Sequence, residues 1–532
     1  MIGLKKVAWA SLGLLCLLLT SCLVNCRVFV WVGPVSLVAG ADGPVAWTVD
    51  DNGPANFSRI QDAVNDASGG DTIFVHNGTY HENVVVNKSL SIAGESVDFT
   101  VVEGFQNDSV VTIVANGVSF SGFTVRKSGS NVSDSGVRLD HSNGCVISNN
   151  RIMDNRYGVS VYFSSGNTVV NNSLVSNGFY GVSFFVSSDG NVVSGNSISG
   201  SYAGVFFLSS SQNVVSNNLI TDNQYGVLLY SSGGNVVFGN NVLSNSFGGI
   251  SLMVSGDNVV YHNNFNNTNQ TSCDLANYWS LGGEGNYWSD YSGRDLTGDG
   301  IGDEPYIVGV NNRDNCPLMG MFSGFWFFCN RLPYSVTVVS NSTISKVVFA
   351  IGAETGNKRI QFNVTGRDGS VGFCRIMIPT GLMNDPLIVL VGEDEIVPTL
   401  LSVSNASHTY LYFTYSQSSR VLTVISSKTL GLYNELFDYY AGLELDLHSL
   451  NVTYLQLLVN YGFLLGNYSM LQNEYAAFNA SYNEHLQRYS EMLQNFKSML
   501  YVIVAVTGVL VVTIVYLSRH PREHEFERSR IQ

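Results

Sequence analysis

The sequence predicts a mainly β protein: a parallel β-helix, then a small β-sandwich, a long coiled-coil helix and one transmembrane helix. Three observations predict it. Gly136, Gly158, Gly181, Gly204, Gly226 and Gly249 recur every 22 or 23 residues, a fixed period that marks stacked supersecondary units. Apolar residues recur in heptads from Leu436 to Phe496, the signature of a coiled coil. Residues 499–517 carry no charge, a run long enough to span a bilayer.

Within each repeat the glycine precedes two apolar positions two apart: Val137/Leu139, Val159/Val161, Val182/Phe184, Val205/Phe207, Val227/Leu229 and Ile250/Leu252. Such alternation, broken by Gly, Ser and Asn, describes strands and turns. Two asparagine columns keep the same period, Asn167, Asn191, Asn213, Asn235 and Asn258, and Asn150, Asn172, Asn196, Asn218, Asn240 and Asn263. In coils stacked about 4.8 Å apart, amides in one column can bond up and down it. Charged residues are 13% and hydrophobic residues 45%, which excludes disorder. A net charge of −15 disfavours nucleic acid as a partner.

In chain order, residues 1–41 read as a signal peptide or N-terminal anchor, with Lys5 and Lys6 before an apolar run. The β-helix is placed at 45–315. Ser58–Ala67, with Ile60, Ala63 and Val64 on one face, is expected to be a helix plugging the open first coil. The stretches Ile60-Gln61-Asp62-Ala63, Gly70-Asp71-Thr72-Ile73, Gly78-Thr79-Tyr80 and Glu82-Asn83-Val84 resemble the opening of pectin-lyase-like right-handed β-helices. Gly285-Asn286-Tyr287-Trp288-Ser289-Asp290-Tyr291, through to Tyr306, resembles the terminal signature of NosD-type β-helix proteins. The resemblance covers about residues 50–310. It implies a right-handed solenoid of the carbohydrate-binding and sugar-hydrolase class, and it assigns no reaction.

Residues 316–333 read as a linker. The alternating runs in 334–427 predict a sandwich of about seven strands, similar to accessory β-domains of archaeal surface proteins. Residues 430–498 form the expected coiled-coil stalk, with Leu436, Leu443 and Leu450 at one seam position and Tyr440, Leu447 and Tyr454 at the other, through which the chain would self-associate. The span 499–517 is followed by a tail, 518–532, bearing Arg519, Arg522, Arg528 and Arg530. That places the tail in the cytoplasm and the large N-terminal region outside the cell membrane. Asn-x-Ser/Thr sequons run from Asn56 to Asn479 and none follows the span, consistent with a glycoprotein. Cys316 is a disulfide candidate with Cys329 or Cys273 in an oxidising compartment.

Three sets of residues are candidates for chemistry. In register, Asp140 is followed by Tyr162, Phe185, Leu208, Tyr230 and Met253, and Arg138 by Ser160, Ser183, Phe206, Leu228 and Ser251. This predicts an outward aromatic stripe, with Tyr162, Phe185, Phe206, Leu208 and Tyr230 as ligand-binding residues for glycans or neighbouring surface proteins. Arg138, Asp140 and His141 form the best cluster for catalysis by a polysaccharide lyase or hydrolase. No adjacent coils, however, put acids in one column for the paired carboxyls that sugar cleavage needs, so an enzyme is the lesser expectation and a purely structural envelope role a third. Asp134 is expected beside Arg156. Asp295, Asp299 and Asp303 alternate around Gly300 as in a calcium loop, although Tyr306 stands where the closing Glu belongs; structural calcium is the one metal this loop suits, and no cofactor is required. The NosD resemblance implies copper handling, for which His76 and His81 are the one plausible pair.

Overall fold

The computed structural model describes residues 44–353, 356–383 and 387–426, together with a few positions between 449 and 512. Residues 46–288 wind into a parallel solenoid. Each coil gives one strand to each of three parallel sheets, of ten, nine and ten strands. The six-residue strands Ser135–Asp140, Tyr157–Tyr162, Tyr180–Phe185, Ala203–Leu208, Tyr225–Tyr230 and Gly248–Met253 form the centre of the nine-stranded sheet. Val159 pairs with Val182, and Val182 with Val205, in unbroken parallel register. All the predicted inward pairs are fully buried in one continuous core.

Burying the pairs leaves backbone and amide groups in every turn that need partners. The asparagines supply them. Asn196 Oδ1 accepts from the Asn172 backbone N–H and Nδ2 at 2.9 and 3.0 Å, while its own Nδ2 donates to Val169 and Ser194 carbonyls. The same unit repeats through Asn218, Asn240, Asn263 and Asn286. The second predicted column behaves likewise, from Asn167 to Asn258. A third ladder, which the sequence reading did not separate from ordinary turn residues, runs through Asn155 and Asn177 and resumes at Asn223, Asn245 and Asn267.

The glycine column is explained by close approach. A Cβ on Gly204 would sit 2.7 Å from the Gly226 carbonyl oxygen and 2.5 Å from an Ile220 methyl carbon, so only hydrogen fits. At the other end of the core, the helix Ile60–Asp66 buries Ile60, Ala63 and Val64. Its first two N–H groups, of Ile60 and Gln61, donate to the Glu82 carboxylate at 2.7 and 3.0 Å.

Two five-stranded antiparallel sheets follow and share one core, which includes Val336, Ile376 and Phe413 from one sheet and Phe362, Val389 and Val424 from the other. The sandwich starts earlier than expected: Met321–Cys329, placed in the linker, is a strand paired along its length with Leu332–Ser340. Its Phe322 backbone bonds Asn264 of the solenoid in both directions, at 2.7 and 2.8 Å.

The cysteine pairing expectation is corrected, since Cys273 and Cys316 both carry free thiols. The N-terminal segment 1–41, the stalk at 430–498, the span at 499–517 and the tail lie outside the described residues, apart from isolated helical positions such as Tyr489, Met492 and Val506. Among the described residues, no helix is long and apolar enough to cross a membrane.

Candidate functional site

Alternation sends every second residue of the long strands outward, and on this sheet those residues are aromatic and aliphatic. Tyr162 stacks on Phe185 at 4.6 Å between ring centroids, one column of the predicted stripe. The next column begins with Ser160 and Ser183, both buried, and continues as Phe206 and Leu228, each 8% exposed. Phe206 stacks on Tyr180 at 4.3 Å. Phe206, Leu228 and Ala203 are the centre of an apolar cluster outside the solenoid core, flanked by Tyr180, Phe185, Tyr202, Leu208 and Tyr225.

The structure therefore brings the five predicted ligand-binding residues together and adds a ridge that the sequence reading missed. At the strand starts and the turns before them stand Tyr157, Tyr180 and Tyr225 with Phe179, Tyr202 and Phe247. Their rings meet in sequence, Phe179 with Tyr202 at 6.3 Å, Tyr202 with Tyr225 at 5.5 Å and Tyr225 with Phe247 at 5.7 Å. The signal was present, since these residues lie immediately before the repeating glycines. The two ridges lean together over the serines: Tyr157 and Phe185, from opposite columns, are 5.9 Å apart. Tyr230 at 46%, Phe179 at 41% and Phe247 at 54% remain exposed. Burial pushes the Tyr162 and Tyr180 hydroxyls up to about 12, so both stay neutral donors at physiological pH.

Arg138, Asp140 and His141 do converge. One Arg138 Nη donates to Asp140 Oδ2 at 2.5 Å, and His141 Nδ1 lies 2.7 Å from Asp140 Oδ1. The Arg138 guanidinium lies 4.8 Å above the Tyr162 ring, and His141 stacks on Phe163. The partner beside Asp140 in the next coil is Tyr162, and those beside Arg138 are Thr112 and Ser160; the register gives this cluster one carboxylate, where sugar hydrolysis uses two. Asp134 lies beside Arg156 as expected, one residue before the paired Ser135 and Tyr157; its carboxylate accepts from the Asn131 N–H at 2.8 Å, and Arg156 lies over the Phe179 ring at 4.5 Å.

The predicted calcium loop closes on itself. Asp295 accepts from the N–H groups of Gly298, Asp299 and Gly300, and Asp303 from those of Leu296 and Thr297. Carboxylates turned onto their own backbone are those of a polar turn, and among the described residues no group of three or more His, Cys, Asp or Glu could hold a metal ion. Asp295, Asp299 and Asp303 thus do not fit calcium.

A second cluster, invisible in the sequence, joins the sandwich to the solenoid. Arg375 donates through Nε and one Nη to Glu284 Oε1 at 3.1 and 2.8 Å, and His262 Nε2 lies 2.8 Å from Glu284 Oε2. Burial alone would raise the Glu284 carboxyl, but His262 and Arg375 outweigh it and hold it at about 2.

Residues 64–293 match the family described as "Periplasmic copper-binding protein (NosD)". A cell surface glycoprotein of Methanothermus fervidus is 35% identical over 106 residues, which are 19% of this chain and 17% of that protein, so the match spans a small part of that relative's length. Among solved structures, pectate lyase Pel9A is 16% identical with a TM-score of 0.36, over 50% of this chain and 84% of its own. Alginate lyase from Paenibacillus sp. str. FPU-7 is 15% identical with a TM-score of 0.30, over 44% of this chain and 98% of its own. Among the described residues, no cluster of donors suits copper. His76 pairs with Glu95 and His81 with Glu103, so the two histidines flanking that turn are each engaged by a different carboxylate. Residues 64–293 thus form a parallel β-helix that matches the NosD family model.

Proposed function

We propose that the protein works at the cell surface as a glycan-binding β-helix, with the aromatic wall of the long-strand sheet as its binding face. The observation that carries the reading is the apolar cluster of Phe206, Leu228 and their neighbours on the outside of the sheet. An outer face has no need of such a cluster for folding, since the pairs on the inner side already close the core. Ring faces at coil spacing suit stacking on sugar rings, and tyrosine adds a hydroxyl for their oxygens. The surface location rests on the kinship with a cell surface glycoprotein, and the apolar segment 499–517 is proposed as the anchor. Carbonate extraction of membranes tests the anchor: release of the full-length chain into the soluble fraction refutes it.

The test of the binding face is retention of the purified full-length chain on a panel of immobilised oligosaccharides. Truncating Tyr162 and Tyr230 to alanine should weaken binding at least tenfold, as for buried ring contacts in other interfaces. Unaltered binding would remove the wall from consideration. A catalytic reading keeps one specific support, the Arg138–Asp140–His141 cluster. It predicts new chain ends in polysaccharide digests that vanish in Asp140→Asn.

A further inference from the structure

The aromatic wall has one charged end. Arg59, Arg126, Lys127, Arg138 and Arg151 each pair with a carboxylate, and Lys88 donates to three carbonyls. Of the Lys and Arg side chains between residues 59 and 156, Arg156 is the one whose side chain has neither a hydrogen bond nor an ion pair among the described residues, and its Nε is buried without a partner. It sits at the first coil of the wall, over Phe179 and 5.7 Å from the centroid of Tyr157. A partly desolvated guanidinium held on two ring faces is costly unless something anionic meets it. Beyond it the field changes sign: from Tyr157 to Gly293 the sequence has no Lys or Arg, while Asp189, Asp222, Asp257 and Asp274 are spread over the coils that follow.

We infer that the wall is built for a glycan that is neutral along its length and carries a single anionic group, carboxylate or sulfate, at the end that seats against Arg156. The inference rests on the glycan reading above and sharpens it. A polyanionic chain would gain one favourable contact and then run along coils that hold no Lys or Arg and whose formal charges are carboxylates, so multiple charges weaken binding where one strengthens it. Arg138 does not compete for the anion, because Asp140 already neutralises it.

The experiment uses the full-length chain on matched oligosaccharide sets: neutral, the same chain with one terminal uronate, the same with one terminal sulfate, and the all-uronate chain of equal length. The singly charged members should bind about tenfold tighter than the neutral ones, as expected for one charge-assisted contact, and the all-uronate chains no tighter than the neutral. Arg156→Gln should bring the singly charged and neutral members to equal affinity without weakening the neutral ones, and Arg156→Lys should restore part of the preference. The uronate and sulfate arms tell the two anions apart. All-uronate chains binding best, or a preference untouched in Arg156→Gln, overturns the inference while leaving the glycan reading standing. Retention of no member of any set refutes the glycan reading itself, and the inference falls with it.

Discussion

Replacing Asn196 with alanine tests whether the amide ladders hold the coils together. The side chain vanishes from the middle of its column. The buried Asn172 backbone N–H and side-chain Nδ2 lose their acceptor, and the Val169 and Ser194 carbonyls lose a donor. A buried polar group left without a partner costs about 1–3 kcal/mol. The two Asn172 donors alone then put the loss at roughly 2–6 kcal/mol, before any contribution from the carbonyls. For a solenoid of this size that corresponds to a fall in melting temperature of roughly 10 °C. Thermal unfolding of the full-length chain by circular dichroism reads the loss. Hydrogen exchange followed by mass spectrometry should show faster exchange in the segments holding Asn172 and Asn196 than elsewhere. Ser197→Ala, next door but exposed, is the control and should melt like the parent. If Asn196→Ala melted within about 2 °C of that control, the ladders would be ornament on a solenoid held by its apolar core.

Three further outcomes follow from the same coordinates. Gly204→Ala should destabilise by about 2 kcal/mol or more, because the added methyl meets backbone and a packed isoleucine; a wild-type melting curve would show that the coils can spread. Ser201→Asn should stabilise by about 1 kcal/mol: Ser201 interrupts the third ladder between Asn177 and Asn223 and its hydroxyl is buried without a partner among the described residues, so an unchanged or lower melting temperature counts against that register. The Glu284 carboxylate is depressed from 4.5 to about 2, so its contribution is complete above pH 4.5 and is lost as pH falls from 4.5 toward 2. The shift of about 2.5 units corresponds to about 3 kcal/mol. Glu284→Gln should flatten the acid limb of stability in that window and free the sandwich to limited proteolysis at neutral pH, and an acid limb identical to the parent's would assign it to other carboxylates.

The repeat itself was legible because the glycines, inward pairs and two asparagine columns obey constraints that act at each coil separately. The third ladder was harder to see, since Ser201 breaks it and the turns differ in length. Asn155 stands two residues before Tyr157 but Asn177 three before Tyr180, so a fixed-period comparison slips. The turn ridge of Phe179, Tyr202 and Phe247 keeps a fixed place two residues before the repeating glycines and was blurred by Arg156 and Gln224, which hold that place in other coils. Met321–Cys329 reads as a linker because nearly every residue is apolar or small, and alternation, the strand signal, is absent. Glu284 and Arg375 are 91 residues apart, and nothing local to either says that they meet. The Asp295 loop shows the limit of spacing as a guide: alternating carboxylates suit a metal loop and a self-capped turn equally, and only the direction of the oxygens separates them.

How the ladders stop explains the otherwise irregular stretch from Gln270 to Asp314. A column of asparagines always leaves the last member's own N–H and amide without a copy to bond, which in a buried turn is as costly as an interior break. Each column here ends on a different residue. The Asn167 column runs on to Asn277, whose Oδ1 accepts from the Asn258 N–H, and the Asn277 N–H is taken by Asn312 Oδ1 at 2.9 Å, while the Asn286 N–H is taken by Asp314 Oδ2 at 2.7 Å. The third column ends on Gln270, whose Oε1 accepts from the Asn267 N–H at 3.1 Å. Asp314 also accepts from the Trp288 indole at 3.0 Å, and Asn312 from that of Trp279 at 3.0 Å, so these two terminators each fix a large ring that closes the open core. The Gly285-Asn286-Tyr287-Trp288 run is thus the last coil together with its plug. The sandwich then packs Leu318, Val339 and Phe373 against Tyr287 and Ile301, with Glu284, one residue before that run, paired to Arg375. Terminating the ladders and joining the two domains are one structural event, so a substitution at Asp314 should loosen both together.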